Sequence, residues 1–186
     1  MTGRRETQRA RMRDRLLEAA LELFGAQGYE ATTIDQIAAR ADVARQTVLN
    51  HYPHKRDFVA EWGRRRREAL TWVPDGSARD QLHGYFDALA DMNERERDLT
   101  AMLYLTFGSA ESSVHQRPVP DATVATIRAG QAGGEFDTAI EAAMAAQVVA
   151  AIYFDTLSRW LTSEPPFDLR ATLHAKLDLV LTGLGT

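Results

Sequence analysis

Arg45, Gln46, Leu49 and Asn50 form two i, i+4 pairs in a run free of glycine and proline, the spacing that gathers side chains on one face of a helix. Each residue type has a counterpart on the major-groove edge of duplex DNA. Arginine can hold guanine O6 and N7 with two nitrogens, glutamine and asparagine can do the same at adenine N6 and N7, and leucine can touch a thymine methyl. Other residues nearby suit the phosphate backbone: Thr33, opening a helix whose first N–H groups lack intrahelical partners, and Thr47, His51, Tyr52 and Lys55 at the other edge. Such contacts position a protein on DNA without specifying a sequence.

These side chains need a scaffold that presents one short helix outward. Thr33-Ile34-Asp35-Gln36 reads as a capping box, threonine at the N-cap and glutamine three residues on, opening a short helix to about Ala41. A second short helix is expected over Ala44 to His51. Pro53 ends it, and a longer helix starts at Lys55 and runs to about residue 70. Ile37, Ala38, Ala41, Val43 and Val48 are apolar or small where two helices crossing at a steep angle must touch. Ahead of them, Leu16, Leu17, Ala20, Leu21 and Phe24 give a helix from about Gln8 to Ala26, closed by Gly28.

Charge is distributed to match. The chain of 186 residues carries a formal net charge of −4, yet residues 1–67 hold 14 Lys+Arg against 9 Asp+Glu and the remainder holds 8 against 17. The basic part is the part that would meet a polyanion. Hydrophobic content of 45% and charged content of 26% are those of an ordinary globular protein. The absence of cysteine removes disulfide frameworks, thiolate nucleophiles and cysteine-ligated zinc. No apolar leader follows the charged N-terminus, and the run from Ala142 to Phe154 falls short of the roughly 20 residues a membrane span needs. A cytoplasmic protein without membrane contact is expected.

Periodicity of three and four continues to the end, so the expected class is all-α: a three-helix DNA-binding head over residues 1–54, joined through helix 55–70 to a helical domain over 71–186. Trp72 to Gly76 marks the break. Helices are expected near Ala78 to Met92, Glu94 to Phe107, Asp121 to Ala129, Asp137 to Thr162 and Asp168 to Leu184, with a loop from Gly108 to Pro120. The helix ending at Thr162 is apolar on more than one face, and the last carries a leucine stripe near heptad spacing. Two such helices from each of two chains would build a homodimer through Leu157, Trp160, Leu173, Leu177, Val180 and Leu181. Tyr85, Phe86, Leu89, Met102, Leu105, Phe107, Met144, Val148, Ile152 and Tyr153 are candidates to line a pocket for a small, largely apolar effector. His83, His115 and Arg128 are candidate polar contacts to it.

Phe24, Gly28-Tyr29, Thr32-Thr33-Ile34, Ile37-Ala38, Ala41, Val43, Thr47, Asn50, Tyr52 and Lys55 together resemble, in order and spacing, the N-terminal signature of the TetR family of regulators. The resemblance covers Leu16 to Val59 and implies a homodimeric, usually repressive DNA binder released from its operator by a ligand. Four positions depart from it: Asp42 where glycine is common, Ala44 where serine usually caps the recognition helix, His54 where serine often caps the next, and Leu49 where tyrosine is frequent.

Competing chemistry is thin. His51 and His54 have metal-ligand spacing but lack further ligands nearby in sequence. Ser112, Ser113, His115 and Asp121 have no nucleophile elbow around them. Arg64 to Arg67 read as a solvated helix end or as contacts across the domain boundary, ahead of nonspecific phosphate attraction, and no cofactor is indicated. The expectation is a non-enzymatic transcriptional regulator bound to double-stranded operator DNA; the alternative is a helical ligand carrier or scaffold that does not bind DNA specifically.

Overall fold

The computed structural model describes residues 2–70, 75–111 and 121–185. Its helices are α1 (Thr2–Gln27), α2 (Ile34–Arg40), α3 (Arg45–His51), α4 (Lys55–Ala69), α5 (Ala78–Arg95), α6 (Arg97–Glu111), α7 (Asp121–Ala132), α8 (Ala142–Thr162) and α9 (Leu169–Leu184). Among the described residues there is no strand, so the all-α class holds. Trp72, Val73 and Pro74 of the expected break, and the expected loop residues Ser112, Ser113, His115, Pro118 and Pro120, lie outside the described residues. No described helix is long and apolar enough to cross a membrane.

Contacts divide the chain into two compact units, Met1–Ala69 with Asp98–Thr106, and Leu70–Arg97 with Phe107–Thr186. In the first, α1 packs on α2 and α4 while α2 packs on α3. Leu16, Ala20 and Phe24 of α1 meet a core shared with Ile37, Ala38, Val48, Tyr52 and Phe58, all buried. Helix α1 starts at Thr2 rather than near Gln8. Residues 5–11 are exposed, so this stretch has no apolar face for periodicity to reveal. Gly28 closes the helix at φ +87, its N–H donating to the Phe24 carbonyl at 2.9 Å.

In the second unit α5 packs on α7 and α9, and α8 packs on the same two helices. Ser77 and Asp80 form a capping box at the start of α5. The Glu135 carboxylate accepts from the N–H groups of Ala78 at 3.0 Å and Arg79 at 3.3 Å, placing a negative group at the positive end of the helix. Helix α8 begins at Ala142, five residues later than the expected Asp137. Side chains have taken over this backbone: Asp137 Oδ1 accepts the Ala139 N–H at 2.8 Å, and the Gln131 amide donates to the carbonyls of Asp137 and Ile140 at 2.9 and 2.7 Å.

Candidate nucleic-acid interface

Helices α2 and α3 are each 7 residues long, too short to stand alone, and the turn between them does the positioning. Thr33 Oγ1 accepts from the Gln36 N–H at 3.2 Å, and Gln36 Oε1 accepts from the Thr33 N–H at 2.8 Å, closing the capping box read in the sequence. At the far end of α2 the chain reverses through Asp42 at φ +49, the left-handed conformation that an aspartate adopts more readily than most residues. Val43 then donates its N–H to the Ala38 carbonyl at 3.0 Å, and Arg15 Nη2 donates to the Asp42 carbonyl at 3.3 Å. Val48 is wholly buried, which fixes the opposite face of α3 outward.

That outward face carries Arg45, Gln46 and Asn50 exposed and Leu49 half-buried. Gln46 Nε2 donates to Asn50 Oδ1 at 3.0 Å, and Arg45 Nε lies 3.0 Å from Asp35 Oδ1 on α2. Helix α3 has no side-chain cap at Ala44. The next helix fares better, because Asp57 Oδ2 accepts the His54 N–H at 2.8 Å and supplies from within α4 an oxygen that His54 lacks.

The residues expected at phosphates divide. Thr33 is exposed and Thr47 half-buried. Tyr52 is placed otherwise: it is 1% exposed, stacked on Phe58 with centroids 4.1 Å apart, and its hydroxyl donates to the Arg13 carbonyl at 3.3 Å. Lys55 is committed as well. Its ammonium donates to the carbonyls of Tyr29, Glu30 and Thr32 at 2.7, 3.3 and 3.0 Å and sits 4.1 Å from the Tyr29 ring centroid. Three donors on three carbonyls leave it tying α4 to the turn after α1. His51 Nδ1 is buried without a partner, and burial, followed by the charges of Arg9 and Arg13, lowers its pKa. Without DNA the shift therefore favours the neutral ring.

A node absent from the sequence reading holds α3 from behind. Arg13 Nη1 donates to the His51 carbonyl at 3.1 Å, its guanidinium lies 4.5 Å from the Tyr52 ring centroid, and Nη2 is 3.2 Å from Glu61 Oε2. Glu61 is 8% exposed and also accepts from Arg64 at 2.7 and 3.0 Å and Arg65 at 2.9 Å. Those bonds, Arg64's first and then Arg65's, with the positive charge of Arg13, outweigh burial and lower its carboxyl to about 2. Arg65 reaches Asp14 on α1 at 2.6 Å, so α1, α3 and α4 meet at one charged cluster.

In the second unit Phe86, Leu89 and Tyr153 are buried, while Tyr85, Phe107 and Ile152 are half-buried. Phe86 stands 6.4 Å from both Tyr85 and Tyr153. Asn93, unmarked in the sequence reading, is buried among them and donates to the Tyr153 hydroxyl at 2.9 Å and the Leu89 carbonyl at 2.7 Å. A signal for it existed: Leu82, Phe86, Leu89 and Asn93 form one helical stripe, so the asparagine faces where its neighbours face. Burial, then Tyr153, pushes the Tyr85 hydroxyl up to about 12. Met144 and Val148, expected to line a pocket, are 58% and 44% exposed. Met102 falls in the first unit and is half-buried, and the Leu105 side chain lies outside the described residues.

His83 is engaged inside the unit, Nε2 lying 3.0 Å from Asp178 Oδ1 and the ring 4.7 Å from His174, and Arg128 is exposed. Of the expected dimer residues, Leu157, Trp160, Leu173, Leu177 and Leu181 are buried within the unit and Val180 is half-buried. The buried five belong to the unit's own core, where α9 packs on both α8 and α5. Exposed apolar surface is carried instead by Met144, Val148 and Leu179. No group of three or more metal-ligating side chains occurs among the described residues.

A tight helix-turn-helix thus precedes a body without strands among the described residues, and comparison with known proteins points to bacterial regulators. Residues 16–62 match the model for bacterial regulatory proteins of the tetR family. The HTH-type transcriptional regulator TcmR of Streptomyces glaucescens is 46% identical over 57 residues, a stretch covering 31% of this chain and only a quarter (25%) of TcmR. The HTH-type transcriptional activator FasR of Mycolicibacterium smegmatis is 26% identical over 183 residues, covering 92% of this chain and 82% of FasR. The crystal structure of FadR from Thermus thermophilus, a TetR-family transcriptional repressor in complex with lauroyl-CoA, superposes with a TM-score of 0.68 at 25% identity, covering 94% of this chain and 95% of that one. Residues 16–62 are thus similar to the tetR-family regulators, and the fold over most of the chain is similar to that of a TetR-family repressor.

Proposed function

We propose that this chain is a homodimeric repressor in which residues 1–54 bind a pseudo-palindromic operator, and residues 71–186 dimerise and take up a small, largely apolar ligand that releases the DNA. The observation carrying the proposal is α3 itself: pinned by the buried Val48, it presents Arg45, Gln46 and Asn50 to solvent with Leu49 beside them. These residue types at this spacing match base edges, with Thr33, Thr47 and His51 at the phosphates. A homodimer follows from reach. One short helix reads too few base pairs, whereas two related by a two-fold axis read two half-sites.

The apolar character of the effector is supported by the aromatic and aliphatic set around Phe86 and Tyr153, and by the acyl chain of the lauroyl-CoA in complex with Thermus thermophilus FadR. Repression is proposed from the family resemblance and from FadR, which is named a repressor; FasR is named an activator, and a reporter behind the bound promoter decides between the two signs. Binding of the purified full chain to the DNA flanking its own gene tests the core of the reading. Tight, salt-sensitive binding that random duplexes do not compete is the expected result. Equal affinity for random duplexes overturns it. Lauroyl-CoA is the first effector probe, and release of the bound duplex on its addition is the expected outcome.

A further inference from the structure

Asp35 presents a carboxylate on the face that the proposed function turns toward DNA, where phosphates would repel it. Its side chain is 73% exposed, and the capping box of α2 is completed by Thr33 and Gln36 without it. What it touches is Arg45, the one charged member of the base-reading set, at 3.0 Å from Oδ1 to Nε. We infer that Asp35 is a specificity-determining residue: it holds the Arg45 guanidinium by its Nε side and so commits the two terminal nitrogens to an end-on, two-pronged contact with guanine.

An arginine side chain has four rotatable bonds, and on an exposed helix its head can serve a guanine, a phosphate or solvent with little preference. Arg45 is 59% exposed, and Asp35 on α2 is its one ion-pair partner among the described residues. A carboxylate at Nε removes the phosphate option by charge and leaves the Nη1–Nη2 edge, whose spacing suits O6 and N7 of one guanine. An exposed ion pair contributes little to stability, so Asp35 acts on which base is chosen rather than on whether the helix folds. The same arrangement is repeated one residue on. Gln46 donates to Asn50 Oδ1, which leaves Gln46 Oε1 and the Asn50 amide hydrogens for an adenine edge. Both reading pairs are thus oriented before DNA arrives.

The inference rests on the proposed function, and its test separates the two. Full-length wild type, D35N, R45A and the D35N/R45A double variant are each used to select from a pool of random-sequence duplexes, and base preference is measured by competition with single-base variants of the winning duplex. Failure of the wild type to select any sequence defeats the proposed function itself. With a selected sequence in hand, the expected result is one guanine per half-site whose preference falls about ten-fold in both D35N and R45A, with no further loss in the double variant. Binding of D35N to unselected duplexes should strengthen, because a negative charge has been removed. If D35N keeps the guanine preference and merely binds every duplex more tightly, Asp35 is only a repulsive charge and the inference falls. If R45A leaves the selected sequence unchanged, Arg45 reads nothing and the inference falls likewise. A role confined to the α2 dipole would lower the melting temperature of D35N and leave its base preference intact, which also overturns the proposal.

Discussion

Lys55 and Tyr52 show how a residue type can suit two jobs while the fold assigns one. Both are amphipathic, and whether such a side chain turns outward to a phosphate or inward depends on what waits behind it. For Lys55 the carbonyls of Tyr29, Glu30 and Thr32 wait, and for Tyr52 the Phe58 ring and the Arg13 carbonyl. The substitution Lys55→Met keeps the stem and deletes the donors. It should destabilise the chain by about 1–3 kcal/mol, the usual effect of removing hydrogen bonds to a charged group, read as a lower midpoint in chemical denaturation. The salt dependence of DNA binding should change little. A loss of about one unit from the slope of log affinity against log salt, with stability unchanged, would return Lys55 to the phosphates. Gly130 is a plainer case: a Cβ there would lie 2.5 Å from Phe136 Cδ2, so Gly130→Ala must displace a buried ring.

At the scale of the element, the recognition helix is held more firmly from behind than at its start. Ala44 has extended backbone at φ −68 and ψ 144, the conformation of a capped N-terminus, but no oxygen to offer. Ala44→Ser should therefore stabilise the chain by about 0.5–1 kcal/mol, measured by denaturation, and should slow amide exchange through α3. No change would mean that DNA-free α3 is already as firm as its packing allows. Behind the helix, Glu61 anchors Arg13 against the His51 carbonyl. Folding lowers the Glu61 carboxyl from 4.5 to about 2, so its contribution is complete above about pH 4.5 and is lost as pH falls toward 2. Glu61→Gln should lower stability by about 1–3 kcal/mol at neutral pH and narrow its gap to wild type as the pH approaches 2. A constant gap would deny the carboxylate its role.

The same elements mark what could be read without coordinates. The capping box at Thr33, the small residue Ala38, Val43 at the turn and the buried Val48 were legible because the evidence for each lies within a turn or two of sequence. Arg13 was not: it meets His51 and Tyr52, which follow it by 38 and 39 residues, so its neighbours exist only once α1 has packed. The start of α8 was missed for a different reason. Apolar periodicity runs through Asp137 and Ile140, but side-chain hydrogen bonds from Gln131 and Asp137 win the backbone there. The leucines of α9 form an inward stripe, buried within the chain itself.

For the whole molecule, that burial decides where a second copy could dock. A side chain already buried in its own core has little apolar area left to lose, and burial of new area is what drives association. Leu173 and Leu177 are fully buried, whereas Leu179 is 76% exposed on the same helix, with Met144 and Val148 exposed on α8. If the proposed homodimer forms through these helices, Leu179→Arg should convert it to a folded monomer, seen as halved mass by sedimentation equilibrium with an unchanged far-ultraviolet circular dichroism spectrum. Leu177→Arg should instead unfold the second unit, because it would bury a charge without a partner. DNA binding supplies the independent readout. A monomer presents one α3 per particle, so Leu179→Arg should weaken binding to a two-half-site duplex by at least ten-fold while leaving affinity for an isolated half-site near the wild-type value. A dimer that survives Leu179→Arg would move the interface off the exposed edge of α9.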